Sequence, residues 1–348
     1  MSNLNYSFLD KVLHRLALQY RIISEVSFEL DQKIVGNNAE DVFKKRHVFI
    51  SGLARAGTTV LMRRFYATGL YRSLTYQDMP FVLAPNLWNR IASISKRELK
   101  TIERAHGDSL LVNADSPESL DEVFWRVFSG NEYISASYLK PHYPLSDIID
   151  KYRHYVSAIL YSGRPSCDRY LCKNNNNILR LSAINQAFPD ALILIPFRDP
   201  IQHAFSLLRQ HIRFSEIQEK SDFSLSYMNW LVHHEFGLDH RPFQFNTNLA
   251  SKRLINNLDY WLELWCNTYD WLEKSKPDSA IFVCYEELCT NNAYWGKILE
   301  IADIDAKKDT HKDYAFKLSS RAIDLNISES LMDRASKINE RLLAKSIL

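Results

Sequence analysis

The sequence predicts an α/β fold, a P-loop-like parallel sheet flanked by helices and interrupted by helical insertions. Three short apolar runs carry that expectation: Val48 to Ile50, Tyr170 to Cys172 and Ala191 to Phe197. The first leads into a glycine-bracketed loop, the second into Lys173, and the third into Arg198-Asp199-Pro200, with helical patterns between them. Apolar strands without polar alternation are buried on both faces, and strands alternating with helices build parallel sheets whose sites lie at the carboxyl edge.

The elements follow in chain order. Leu9, Val12, Leu13, Leu16, Tyr20 and Ile23 mark one face of a packing helix in an N-terminal helical segment, residues 1–40. The strand Val48 to Ile50 runs into Gly52-Leu53-Ala54-Arg55-Ala56-Gly57-Thr58-Thr59, which opens a helix. Backbone N–H groups at such a strand-to-helix turn surround an anion, and Thr58 and Thr59 add hydroxyl donors. The frame is that of a Walker A loop, with Thr58 at the lysine position and a cation, Arg55, moved inside. Without the lysine, the loop fits a smaller anion beside Arg55 better than a γ-phosphate with magnesium. Leu61, Phe65 and Tyr66 face inward from the helix that follows, and Gly69 ends it.

Next comes Tyr76-Gln77-Asp78-Met79-Pro80-Phe81, then an acidic group, Glu118, Asp121 and Glu122, leading an aromatic helix with Asp115 or Ser116 at its N-cap. Asn174 to Asn177 reads as low complexity. Asp199 is a natural N-cap and Pro200 a natural first helical residue for Ile201 to His211. Ser206 lies about 10 Å along that helix from Arg198, at roughly 1.5 Å per residue, so both side chains can converge on one phosphate. Alone, this segment reads equally well as a capped helix with a solvated arginine. His233-His234-Glu235 and His240-Arg241 lack metal spacing and read as a pocket wall or an ordinary polar loop. Leu258, Trp261, Leu262, Trp265 and Tyr269 form a stripe read as core, and the chain from about Asp303 onward is helical and charged.

Taken together, these segments resemble the sulfotransferases that use 3′-phosphoadenosine 5′-phosphosulfate (PAPS). In that family the first loop reads roughly proline, lysine or arginine, serine, glycine, threonine, threonine; Ala54-Arg55-Ala56-Gly57-Thr58-Thr59 matches it with alanines for the proline and serine. The family's 3′-phosphate motif, an arginine followed eight residues on by a serine, is matched by Arg198 and Ser206. A strand ending in Tyr-Glu is matched by Ile281 to Glu286, and a Lys-x-Pro run by Lys173, with Asn175 for the proline. The flavour is that of tyrosylprotein and carbohydrate sulfotransferases, here in a soluble member.

The resemblance implies a single sulfotransferase domain over residues 1–348, with residues 212–250 as an acceptor-side insertion. It implies PAPS as co-substrate without a metal, held by Arg55, Ala56, Gly57, Thr58, Thr59, Arg198, Ser206 and Tyr285. Arg55 would clamp the bridging oxygen, with Lys173 as a second cation. Asp78 is the first candidate for the base, because tyrosylprotein sulfotransferases carry an acidic base after the corresponding helix; Glu122 and His234 stay open. The acceptor would be a small molecule or a glycan. A P-loop small-molecule kinase and a non-catalytic nucleotide-binding module are the alternatives.

Composition agrees. The chain has 348 residues and a formal net charge of +2, so no bulk attraction to nucleic acid is expected. Its five cysteines form no CxxC pair, which fits thiols in a reducing compartment. No signal-peptide core or membrane-spanning run is evident, so the expected location is the cytoplasm.

Overall fold

The computed structural model describes residues 8–36, 45–92, 102–103, 111–112, 118–245, 255–309, 315–318 and 327–347. Among these residues the strands are β1 (Val48–Ile50), β2 (Tyr71–Arg72), β3 (Ile102–Glu103), β4 (Leu111–Val112), β5 (Arg169–Lys173), β6 (Leu192–Phe197) and β7 (Ala280–Cys284). Five form one parallel sheet in the order β2-β5-β1-β6-β7, and β3 pairs antiparallel with β4. The α/β, parallel-sheet expectation is met. All residues of β1 and β6 are buried, as apolar runs covered on both faces require.

A proline inside a central strand needs an explanation, because it cannot donate to the ladder. Leu194 accepts from the Ser51 N–H, so alternate residues of β6, Pro196 among them, face β1. Pro196 comes after β1 has ended, so no donor is missed there. Its carbonyl accepts instead from the Tyr269 hydroxyl at 2.8 Å.

Helices cover the sheet. Thr58–Ala67 packs on β5 and β1, Ser146–Tyr161 on β5, and Leu258–Ser275 on Pro200–Glu219. Trp261, Leu262, Trp265 and Tyr269 are buried, so that aromatic stripe is core. Within Thr58–Ala67, Leu61 and Phe65 are buried and Tyr66 is half-buried against the core, and Gly69 follows the helix at φ 73°.

Three local expectations change. The N-terminal stripe is not the buried face: Leu9, Val12, Leu16 and Tyr20 are exposed, while His14, Ala17 and Leu18 are buried. The chain breaks at Tyr20, whose backbone is extended, and Arg21–Val35 buries Ser24, Ser27, Phe28, Asp31 and Val35 instead. The helix after Arg198 runs through Pro200–Glu219 and is followed by Asp222–Trp230, so the start of the 212–250 stretch is helical. Asp115 and Ser116 lie outside the described residues; the aromatic helix Glu122–Tyr133 has Asp121 at its N-cap position.

Candidate active site

The carboxyl ends of β5, β1, β6 and β7 lie side by side, and each delivers one piece of the site. From β1 comes the loop. Arg55 has φ 71° and Gly57 φ 84°, a pair of left-handed residues that turns the chain into the helix Thr58–Ala67. At Gly57 the need for glycine is double, since a Cβ would also stand 2.3 Å from the Tyr285 ring. Thr58 is buried at the first helical position, and Gly57 itself supplies the N-cap. The first N–H groups of that helix lack intrahelical acceptors, the arrangement that suits an anion at a helix N-terminus.

β6 leads directly into Arg198, and Asp199 caps the next helix by accepting from the Gln202 N–H at 2.8 Å. That helix returns two side chains to the loop. Arg55 Nε donates to Ser206 Oγ at 3.3 Å, and His203 Nε2 lies 2.8 Å from the Ala54 carbonyl. Burial lowers the His203 imidazole to about 3, so it is neutral and its Nε2–H donates to that carbonyl. β7 leads directly into Tyr285, whose ring lies against Gly57 and 5.8 Å from the Arg198 guanidinium. Glu286 accepts from the Asp199 N–H at 3.1 Å and approaches Arg198 Nε at 4.0 Å. Arg55, Gly57, Arg198, Ser206 and Tyr285 thus meet in one place.

β5 ends at Lys173, which is buried and paired in register with Ile50 of β1. The asparagines that follow are not a featureless tract. Asn174 donates to Asp121 Oδ1 at 3.2 Å and to Glu122 Oε2 at 2.6 Å. Asn175 donates to Glu235 Oε1 at 2.8 Å, Asn176 to the Val232 carbonyl at 3.0 Å, and Asn177 to Cys172 Sγ at 3.5 Å. Asn174 therefore ties the strand end to a buried acidic pair, and Asn175 and Asn176 tie it to the 232–235 loop.

The candidate bases occupy different surroundings. Both oxygens of Asp78 are engaged: Oδ2 accepts from the Thr75 N–H at 2.7 Å, and Oδ1 from Arg72 Nη2 at 2.6 Å. Its carboxylate closes the short 3-10 turn Tyr76–Asp78 and anchors it to β2, an edge strand. Glu122 is buried against Arg180, with contacts of 2.7 and 2.9 Å, and also accepts from Tyr133. Its neighbour Asp121 is pushed up to about 6 by burial. His234 is turned inward, its Nδ1 3.1 Å from the Asp239 carbonyl; burial and Arg241 lower it to about 4.

Glu235, together with His233, is the pair that sequence reasoning passed over as individual residues. Lys173 acts electrostatically on Glu235, and His233 Nδ1 stands 3.6 Å from Glu235 Oε2. Burial pushes the Glu235 carboxyl up, yet His233, Asn175 and Lys173 together outweigh it and hold it at about 2. Glu235 also borders a small cavity with Leu53, Ala54, Asn176, Leu207 and Arg241, which joins this loop to the anion loop. The signal available in the sequence was the asparagine run immediately after a strand-end lysine.

Among the described residues no cluster of His, Cys, Asp and Glu is arranged to hold a metal, and no helix is long and apolar enough to cross a membrane. A family model described as the sulfotransferase family matches residues 47–241, more than half of the chain. The fold is similar to the crystal structure of sulfotransferase STF9 from Mycobacterium avium, at 15% identity and TM-score 0.53, covering 92% of this chain and 82% of that one. It is also similar to sulfotransferase STF1 from Mycobacterium tuberculosis H37Rv, at 13% identity and TM-score 0.50, covering 98% and 88%. No curated protein matches the chain.

Proposed function

The chain belongs to the sulfotransferase family, and from that premise we propose that it moves the sulfuryl group of PAPS to a hydroxyl or amine of a small molecule or glycan by in-line transfer. The observation that carries this reading is the Arg55–Ser206 contact, which joins the anion loop to the helix that follows Arg198. A ligand with two separated anionic groups suits that arrangement, one group at the loop and one at Arg198.

In this reading Arg55, Ala56, Gly57, Thr58 and Thr59 hold the 5′-phosphosulfate, and Arg198 and Ser206 hold the 3′-phosphate. Tyr285 walls the nucleotide site. Arg55 and Lys173 face the oxygens on which charge develops, and positioning with electrostatic stabilisation supplies most of the rate, as in phosphoryl transfer. None of the five cysteines is in a disulfide, which supports a reducing compartment and the cytoplasm as the proposed location.

The test is selective stabilisation. Adenosine 3′,5′-bisphosphate (PAP) should raise the melting temperature much more than AMP, because only PAP fills both anion sites. Arg198→Ala removes a charged hydrogen bond worth about 1.5–3 kcal/mol and Ser206→Ala a neutral one worth about 0.5–1.5 kcal/mol, so the first should weaken PAP binding more. Equal shifts with AMP and PAP, or wild-type PAP affinity in Arg198→Ala, would remove the 3′-phosphate site.

A further inference from the structure

We infer that Glu235 positions Lys173: a strained loop delivers its carboxylate as the counter-ion that holds the lysine ammonium at the transferring group. The inference rests on the proposed sulfuryl transfer and adds a residue that neither the motifs nor the comparisons assign.

The loop is strained and tightly fixed. Val232, a β-branched residue, sits at φ 56°, in the left-handed region that such side chains avoid. Conformations of this kind cost about 1–3 kcal/mol and persist only where the surroundings impose them. Here they do. The Val232 carbonyl accepts from Asn176 Nδ2 at 3.0 Å, and the Val232 and His233 N–H groups donate to the Asn229 and Met228 carbonyls at 3.1 and 2.9 Å. Beyond Glu235, Gly237 lies at φ 90° and donates its N–H to His211 Nδ1 at 3.2 Å, and a Cβ there would collide with Gln218. Gln218 Oε1 also accepts from the Leu238 N–H at 2.6 Å, so the chain is held on both sides of Glu235.

What the loop delivers is a carboxylate, 14% exposed, at the end of β5. Glu235 Oε1 accepts from Nδ2 of Asn175, two residues past Lys173, at 2.8 Å, and Oε2 faces His233 Nδ1 at 3.6 Å. Lys173 acts electrostatically on the same carboxylate. Lys173 is itself buried, at 7% exposure, where a cation needs an anion at hand. The acidic pair at this strand end faces elsewhere. Cys172 Sγ donates to Asp121 Oδ2 at 3.0 Å and Asn174 donates to both Asp121 and Glu122; these two residues alternate with Lys173 along extended chain, so the pair lies on the opposite face of the sheet. Glu235 also lines the small cavity with Leu53 and Ala54, the residues just before Arg55. It therefore connects the strand end bearing Lys173 to the loop bearing Arg55.

An ammonium on a flexible four-carbon stem is a point charge that has to be aimed. Held by Glu235, it stays charged and in place for the negative charge that builds on the transferring and bridging oxygens. Because the carboxylate acts through the lysine, the effect of losing it depends on the lysine being present.

The test combines a titration with a double-mutant cycle. Lysine Cε resonances are followed by NMR against pH in wild type and Glu235→Gln, with the Lys173 signal identified by its loss in Lys173→Met. Single-turnover loss of labelled sulfuryl from PAPS to water and PAP affinity are measured in Glu235→Gln, Glu235→Asp, Lys173→Met and the Lys173→Met, Glu235→Gln double variant. The expected result is a Lys173 titration moved to lower pH by Glu235→Gln. Turnover should fall about 10–100-fold in Glu235→Gln, the scale of losing a group that orients a reacting one, and recover in part in Glu235→Asp. PAP affinity should change less than about threefold, and in the Lys173→Met background Glu235→Gln should cost less than about twofold further. An unmoved lysine titration, or the full Glu235→Gln loss repeated without the lysine, overturns the positioning role while leaving PAPS turnover by the wild type intact. A wild type that leaves PAPS untouched overturns the transfer reading, and the role at the transferring group with it, whereas the titration still reads the Lys173–Glu235 pair.

Discussion

Replacing Glu122 by alanine is expected to destabilise the fold by about 3–5 kcal/mol, because it strands a buried guanidinium. Glu122 and Arg180 are both essentially inaccessible, at 1% and 0% side-chain exposure, and they meet through two charged contacts. Tyr133 and Asn174 satisfy the remaining acceptor sites on the carboxylate, and the Arg180 guanidinium lies 4.6 Å from the Tyr133 ring centroid and 5.0 Å from that of Trp125. With the carboxylate gone, a fully buried cation keeps only His142 Nδ1 and Asn177 Oδ1 as hydrogen-bond acceptors, at 3.0 and 3.3 Å. Equilibrium urea unfolding measures the loss directly. A change below about 1 kcal/mol would show that the pair is not the buried anchor described here. Because Asn174 follows Lys173 and loses one partner in this variant, the strand end that bears Lys173 should loosen as well.

The second large effect is on turnover. Arg55→Ala and Lys173→Ala should each lower kcat by about 10²–10³-fold, the cost of removing one preorganised donor from developing charge. PAP affinity should fall less, since these cations would act chiefly when charge builds on the transferring and bridging oxygens. Lys173→Ala has a further consequence: Glu235 keeps Asn175 and His233 but loses the lysine that helps hold it ionised. Single-turnover kinetics with PAPS separate the two stages. A KM that rises as kcat stays level would assign these residues to ground-state binding only.

Much of this architecture could be read from local pattern. Val48 to Ile50, Tyr170 to Cys172 and Ala191 to Phe197 announce buried strands because unbroken apolar runs suit a sheet covered on both faces. Asp199 and Pro200 mark a helix start through chemistry confined to a few residues, and the cap is present. What escaped local reading depends on partners far along the chain. Glu122 meets Arg180 across 58 positions, and Asn175 meets Glu235 across 60, so neither pairing leaves a trace in spacing. The asparagine run looked uninformative because polar repeats usually mean solvated loop, whereas these four side chains are buried with assigned contacts. The N-terminal stripe misled for a related reason. An apolar face tells which residues could pack, and the break at Tyr20 decides which ones do.

The most direct measurement is transfer of labelled sulfuryl from PAPS to a panel of sugars, phenols, alcohols and amines, run beside ATP with magnesium. Labelled product and released PAP are expected with at least one acceptor, without a need for divalent metal and without phosphoryl transfer from ATP. Turnover of ATP with magnesium, and no transfer from PAPS to any acceptor, would contradict sulfuryl transfer as the activity.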